Sequence, residues 1–201
     1  MMKKVLRVVS ATLAVGILGF ALTGCGGASL TPQVQQAFDK NQEMYTQRNM
    51  FISKIGRYGQ KYIETTNYGN GIVIPVNTKI KFKDVNAKQM SFTYEGSLVM
   101  LQNIPKYSNT SIEQMVKRYF APKKVNLSKF TKAEREAINS GGILESRIAV
   151  GLSKEAVLVS RGYPPSHATS SVKANTWKFW EHKFNTTLVH FKDNKVVKIT
   201  H

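Results

Sequence analysis

The sequence predicts an α+β fold in which antiparallel sheets carry helices packed on one side. Three observations along the chain support this class. Apolar and polar residues alternate from Ile72 to Asn103, helix signals follow from Thr110 to Ser160, and alternation returns from Thr176 to Ile199. Strands and helices are therefore segregated along the chain, which is typical of α+β proteins and not of alternating α/β proteins.

A helix is predicted where the folded part begins. Thr31 suits a helix cap and Pro32 suits the first helical position. Apolar residues from Val34 to Ile52 then recur near helical spacing. We therefore expect a helix from about Pro32 to Arg48.

The segment from Ile72 to Asn103 predicts a meander of three or four strands with one face in water. Ile80 and Phe82 alternate with lysines at positions 79, 81 and 83. Glu95-Gly96 is turn material, and Pro75 belongs at a sheet edge or a strand boundary because it lacks an N–H donor.

Three helix starts are predicted in the middle of the chain. Thr110–Glu113 and Thr131–Glu134 fit capping boxes, and Ser153 fits a third helix cap. Gly162 suits the C-terminal cap of the last helix. Glu134 also alternates with basic residues, which indicates a solvated helix face.

The end of the chain predicts three more strands. Thr176 to His182 is rich in aromatic residues, and Asp193-Asn194 is a tight-turn signal between the last two strands. Trp180 falls on the opposite face of its strand from Trp177 and Phe179. It is therefore either a second packing layer against the N-terminal half or an exposed contact site.

The first residues have the layout of a secretory signal. A basic start is followed by an uncharged, mostly apolar run from Val8 to Leu22, shorter than the roughly 20 residues of a spanning helix. Leu22-Thr23-Gly24-Cys25 closes the run and resembles the lipobox of bacterial lipoproteins. That resemblance implies cleavage between Gly24 and Cys25, a diacylglycerol on Cys25 and acylation of the new amine. The alternatives are an ordinary signal peptide with an incidental cysteine, or an uncleaved anchor.

The folded part is strongly basic. Removing residues 1–24 takes away three of the 29 Lys and Arg residues and none of the 12 Asp and Glu residues. We expect a membrane partner through the lipid anchor, an envelope protein partner and contact with anionic lipid head groups. Nucleic acid is not expected, because an exported chain rarely meets it. The alternative is a charge spread for solubility, since the lysines are scattered.

No catalytic or metal-binding pattern is recognisable. The histidines, at positions 167, 182, 190 and 201, are too widely spaced for local metal ligands, and no cysteine accompanies them. No serine lies in a nucleophile elbow, and the glycine-rich stretches lack the Lys-Ser/Thr of a phosphate loop. We therefore expect a protein that is not an enzyme and holds no metal or cofactor.

The C-terminal region, residues 143–201, contains a set of structural residues in a recognisable order: Gly151, Leu152, Ser153, Gly162, Pro164, Trp177 and Phe191. On these residues the region resembles the SmpA/OmlA (BamE-like) family of small outer-membrane lipoproteins. Leu152 stands where the family usually has Met. The resemblance implies a helix-on-sheet unit and a structural or assembly role in the cell envelope. Gly26 after the lipidated cysteine implies the outer membrane, because Asp at that place favours the inner one.

The expected organisation has five parts. They are a signal peptide (1–24), a lipidated tether (25–30), an N-terminal helix with the β-meander (31–105), a helical connector (106–142) and the SmpA/OmlA-like domain (143–201). A comparable helix-on-sheet architecture occurs in β-lactamase inhibitory proteins, so fold alone does not decide function. The alternative function is a binding or inhibitory module directed at an envelope enzyme or the cell wall.

Overall fold

The computed structural model describes residues 43–86, 88–108, 110–140 and 148–201. These residues form twelve strands and three α-helices. All strand pairs are antiparallel except one. The predicted α+β class is therefore confirmed.

A seven-stranded sheet dominates the N-terminal half. Its strands lie in the order β3-β4-β8-β7-β6-β1-β9, and β4 runs parallel to β8. A separate two-stranded sheet pairs β2 with β5. The strands are β1 (Glu43–Thr46), β2 (Met50–Ile52), β3 (Lys54–Ile55), β4 (Lys61–Glu64), β5 (Ile72–Ile74), β6 (Lys79–Val85), β7 (Gln89–Tyr94), β8 (Ser97–Gln102) and β9 (Phe120–Ala121).

The predicted helix from about Pro32 to Arg48 is wrong in its last part. Residues 43–46 form β1, which is hydrogen-bonded on both sides, to β6 and to β9. Met44 and Thr46 are buried in the resulting sheet. Pairing on two sides outweighs a local spacing that suits a helix. Residues 32–42 of the predicted helix lie outside the described part of the chain.

The predicted meander is confirmed for β6, β7 and β8. Lys79, Lys81 and Lys83 face water while Ile80 and Phe82 are buried. The turn at Glu95-Gly96 has positive φ angles of 47° and 71°, which two-residue hairpins favour. β5 does not join this meander, and Pro75 follows its last residue directly.

One helix, α1 (Ile112–Tyr119), covers the buried face of the large sheet. Its cap is Ser111, whose hydroxyl accepts the Gln114 amide while the Gln114 side chain accepts the Ser111 amide. The predicted Thr110–Glu113 box is therefore wrong by one residue. Thr110 instead accepts a hydrogen bond from Arg118 Nη1 at 3.0 Å.

The C-terminal unit consists of two helices on a three-stranded antiparallel sheet. The helices are α2 (Lys132–Asn139) and α3 (Lys154–Arg161), and the strands are β10 (Thr176–His182), β11 (Asn185–Lys192) and β12 (Lys195–Thr200). Trp177 is fully buried at its centre, with the Phe191 ring 4.5 Å away and the Phe179 ring 6.3 Å away, centre to centre. The sheet and the burial of Trp177 are as predicted.

Glu134 ties the starts of α2 and α3 together. Its carboxylate accepts the Thr131 amide at 2.9 Å and the Ser153 amide at 3.0 Å. Burial alone would raise the pKa of Glu134, but these hydrogen bonds outweigh it and lower the pKa to about 2. The capping box of α2 is therefore confirmed, whereas the predicted solvated position of Glu134 is wrong.

Candidate functional site

The site residues expected from the sequence lie in two parts of the chain, the N-terminal signal region and the C-terminal unit. Gly24 and Cys25, the expected cleavage and lipidation positions, lie outside the described residues. Leu152 is buried in the C-terminal core, and its carbonyl accepts the Val196 amide at 2.8 Å. Gly151 donates to Val196 O at 2.8 Å, and Ser153 caps α3 by accepting the Ala156 amide. These three residues join the start of α3 to the edge strand β12.

Gly162 and Pro164 shape the exit of α3. Gly162 has φ +83°, and a Cβ there would lie 3.0 Å from Asn67 Nδ2, so a larger residue would meet both strain and crowding. Its amide donates to Leu158 O at 3.1 Å and closes the helix. Pro164 is buried in the segment that follows.

Two buried asparagines of the N-terminal half hold that exit. Asn49 Nδ2 donates to Ile138 O at 2.8 Å and to Ser160 O at 3.1 Å. Asn67 Nδ2 donates to Arg161 O at 3.0 Å and to Tyr163 O at 2.9 Å. Carbonyls at the ends of α2 and α3 are thus satisfied by side chains from the other half of the chain.

A buried arginine forms the centre of the same junction. The Arg161 guanidinium lies between the Phe51 and Phe179 rings, 5.0 Å from each centre. It donates to Asn67 O at 3.0 Å and to Trp180 O at 2.8 Å, and it lies 3.6 Å from the Glu181 carboxylate. A Cβ on Gly69 would lie 2.1 Å from Glu181 Oε2. Only glycine at position 69 therefore lets this loop lie against the Arg161–Glu181 pair.

Trp180 also lies at the junction. Its half-buried ring stacks on His167, with centres 6.1 Å apart, and Lys178 Nζ lies 5.2 Å from its centre. It lines a cavity of about 200 Å³ together with Tyr68 and Tyr107 of the N-terminal half. This placement favours the packing interpretation over a freely exposed contact site.

The strongest candidate for binding is a cluster of two arginines around Tyr163, the middle residue of the Gly162–Pro164 motif. The Arg48 Cζ lies 4.5 Å from the centre of the Tyr163 ring, and the Arg118 Cζ lies 4.8 Å from it. Arg48 Nε donates to Arg118 O at 2.7 Å, which fixes the two residues relative to each other. The β1–β2 connection, α1 and the α3 exit thus meet at one point. We call these three residues the two-arginine cluster.

The charge of this cluster is not balanced by an ion pair in the part of the chain that the structure describes. Within the described ranges, neither guanidinium forms an ion pair with a carboxylate. Burial lowers the pKa of Arg48, and the charge of Arg118 lowers it further, while Tyr163 and Tyr119 act in the opposite direction. Arginine nevertheless stays protonated in proteins. Two positive charges are therefore held together without an ion-paired carboxylate from the described residues.

Cavities lie on both sides of the cluster. One of about 290 Å³ includes Gln47, Arg48, Asn126 and Tyr163 in its lining. The other, of about 250 Å³, includes Arg118 and Tyr163 and the turn that follows Pro164. The arrangement suits an anion, because guanidinium groups bind carboxylate and phosphate oxygens directly.

In the described residues, no three His, Cys, Asp or Glu side chains lie close enough together to hold a metal ion. The sequence did not reveal the two-arginine cluster, because Arg48 and Arg118 are 70 residues apart in the chain. Only Gly162 and Pro164 gave a signal there, and they pointed to a helix exit.

Comparison with family models, with curated proteins and with solved structures finds no match to this chain. None of the helices in the described ranges has the length and apolar character needed to span a bilayer.

Proposed function

We propose that the protein is a lipid-anchored outer-membrane lipoprotein that acts by non-covalent contact and not by catalysis. Its role is structural or supports assembly in the cell envelope, through protein or lipid partners. One observation carries the contact role: Arg48 and Arg118 flank Tyr163 with no ion-paired carboxylate in the described part of a strongly basic chain. Such a surface favours an anionic partner.

The anchor rests on Leu22-Thr23-Gly24-Cys25 behind the apolar run. One acyl chain binds a membrane only marginally, whereas two or more hold it firmly. The lipoprotein pathway implied by the lipobox supplies at least two. The outer membrane is proposed because Gly26 and not Asp follows the cysteine.

Membership of the SmpA/OmlA family is part of this proposal. Two helices on a three-stranded sheet, with Trp177 buried between them, agree with what the resemblance implies. Gly162, Pro164 and Phe191 also have structural roles in that unit. These features support the placement, and a shared architecture by itself leaves function open.

The anchor is tested by Cys25→Ser. We expect the substitution to abolish labelling with a radioactive fatty acid and to block cleavage before residue 25. Labelling that persists in the variant would exclude Cys25 as the attachment site. Sucrose-gradient fractionation of the unmodified chain then tests the membrane, and recovery in inner-membrane fractions would contradict the outer-membrane assignment.

The envelope role is tested by deletion. We expect loss of the gene to weaken the barrier to large hydrophobic antibiotics or to lower outer-membrane protein levels. Complementation with an Arg48→Gln, Arg118→Gln double variant should fail if the two-arginine cluster carries the contact. Complementation with Lys117→Gln, an exposed position on α1, should succeed.

A binding or inhibitory module is the second candidate. The cavities beside the two-arginine cluster favour it, because each could receive an anionic group of a larger partner. Mild cross-linking and co-purification separate the candidates. Outer-membrane assembly proteins would support the first role, and a hydrolase or glycan strands would support the second.

A further inference from the structure

The cavity of about 250 Å³ on the Arg118 side of Tyr163 is lined by several hydrogen-bond donors. Arg118 and the Tyr163 ring form one wall. The turn after Pro165 forms the other and supplies hydroxyl groups from Thr169, Ser170 and Ser171. The turn is held by amide hydrogen bonds from Ala168 and Thr169 to Pro165 O, both at 3.0 Å.

Two of these hydroxyls are already oriented by the backbone. Thr169 Oγ1 accepts the Lys178 amide at 2.9 Å, and Ser171 Oγ accepts the Lys173 amide at 3.1 Å. Each oxygen is therefore used as an acceptor, and its hydrogen is the group that remains to donate. Thr169 is buried, so its hydroxyl is held in place by its surroundings.

Arg118 supplies the charge for the same cavity. Its contact with Thr110 Oγ1 uses one of the five N–H donors of the guanidinium. The neighbouring guanidinium of Arg48 adds a second positive charge on Tyr163. Solvent screens a half-buried cation less than a fully exposed one, which strengthens its attraction for an anion.

We propose that this cavity is a binding site for a phosphate group, either free phosphate or the phosphomonoester of a lipid head group. A phosphate offers more acceptor oxygens than a carboxylate, and the wall of hydroxyls provides donors from several directions. Arginine binds phosphate through two parallel N–H donors, which orients the ligand. The site deepens the proposed contact role and names its ligand, but phosphate binding can be measured whether or not the chain is lipidated.

The experiment is calorimetric titration of the full chain, kept in a neutral detergent, with inorganic phosphate at constant ionic strength. We expect binding of one phosphate, and we expect Arg118→Gln to weaken it by about tenfold or more, as loss of a charged hydrogen-bond donor does. Lys117→Gln removes the same charge from the exposed side of the same helix and should leave the affinity unchanged. Equal weakening by both variants would show only a general charge effect and would overturn the site.

A second variant covers the case in which Arg118→Gln fails to fold, as judged by its circular dichroism. Ser171 is exposed, so Ser171→Ala should fold normally and still weaken phosphate binding by about threefold to tenfold, the effect of a lost neutral hydrogen bond. Unchanged phosphate affinity in Ser171→Ala would refute the proposal, and so would unchanged affinity in a folded Arg118→Gln.

Two further ligands identify the chemistry and its source. Acetate at the same ionic strength should bind much more weakly than phosphate, and equal binding would overturn the phosphate assignment. Phosphatidic acid with six-carbon chains, used below its micelle concentration, tests the lipid source. Tighter binding than phosphate assigns the site to a lipid head group, and equal binding assigns it to the phosphate group alone. If no phosphate binding is detected while Cys25 is still labelled with fatty acid, the proposed lipoprotein role stands and only the phosphate site is excluded.

Discussion

The N-terminal and C-terminal halves of the described chain are assembled by different means. In the C-terminal unit each strand pairs with its neighbour in sequence, and each helix begins at its own cap. In the N-terminal half β1 lies between β6 and β9, and β4 runs parallel to β8. Local signals therefore specify the C-terminal unit, while long-range pairing adds β1, β4 and β9 to the local meander of the N-terminal sheet.

The cores of the two halves differ as well. The N-terminal core contains methionines at positions 44, 50, 90 and 115, whose flexible side chains adapt to irregular gaps. The C-terminal core is centred on Trp177, with Phe179 and Phe191 around it. We expect the C-terminal core to tolerate substitution less well, which the predictions below test.

The largest effect is expected at Trp177. Trp177→Ala should lower the free energy of unfolding by about 3–5 kcal/mol, because it removes a fully buried aromatic side chain. Met90→Leu in the other core should cost less than about 1.5 kcal/mol, because it nearly conserves volume. Chemical denaturation measures both. A loss of under about 1 kcal/mol in Trp177→Ala would contradict its central place in the C-terminal core.

Arg161→Met tests whether the halves unfold together. It removes the buried cation from between Phe51 and Phe179 and leaves Glu181 without it, which should cost about 3 kcal/mol. We also expect one thermal transition in the unmodified chain and two in the variant, because the junction loses its central contacts. Arg57→Met, at an exposed arginine, is the control and should leave one transition. A single transition in Arg161→Met would mean that the remaining junction contacts, including those of Asn49, Asn67 and Trp180, are enough to join the halves.

The pH dependence of stability should depend on Glu134. Its pKa is lowered from 4.5 to about 2 in the folded chain, so its contribution is fully present above pH 4.5. The contribution is lost as pH falls from about 4.5 to about 2. Glu134→Gln should cost about 1–3 kcal/mol at pH 7 and flatten the stability curve in that window. Glu136→Gln, exposed on the same helix, should leave the curve unchanged.

The smallest effects are expected at two matched helix caps. Ser111→Ala in the N-terminal half and Thr131→Ala in the C-terminal unit each remove the hydroxyl of a capping box. Each should cost about 1 kcal/mol, the usual value for a lost N-terminal cap. Equal losses would show that the halves differ in how strands are paired and not in how helices begin.

The sequence predicted best what depends on neighbouring residues. Thr131, Ser153 and Gly162 act as helix caps as expected, and Asp193-Asn194 forms the expected turn with φ of 50° and 60°. The local spacing of apolar residues over β1 suits a helix, but its strand character depends on partners that lie far along the chain. The parallel pairing of β4 with β8 was missed for the same reason.

The candidate site was hidden for a related reason. Arg48, Arg118 and Tyr163 come from three separate segments of the chain. None of them belongs to a recognisable binding motif in the sequence. The sequence predicted the helix exit at Gly162 and Pro164, so it located one wall of the site without revealing its charge. Convergence of residues from distant segments leaves no periodic or spacing signal.

The asparagine contacts at the end of α3 also constrain the order in which the chain can fold. Asn49 and Ser160 are 111 residues apart in sequence, and Asn67 and Tyr163 are 96 residues apart. Loops of this length must close before such contacts can stabilise the fold, and the entropy lost on closure slows folding. Because the chain is synthesised from its N-terminus, both asparagines are made long before the carbonyl groups of α3 that accept their hydrogen bonds. We therefore expect the junction to form last, so that proteases and chaperones can reach the new chain until almost its whole length has emerged.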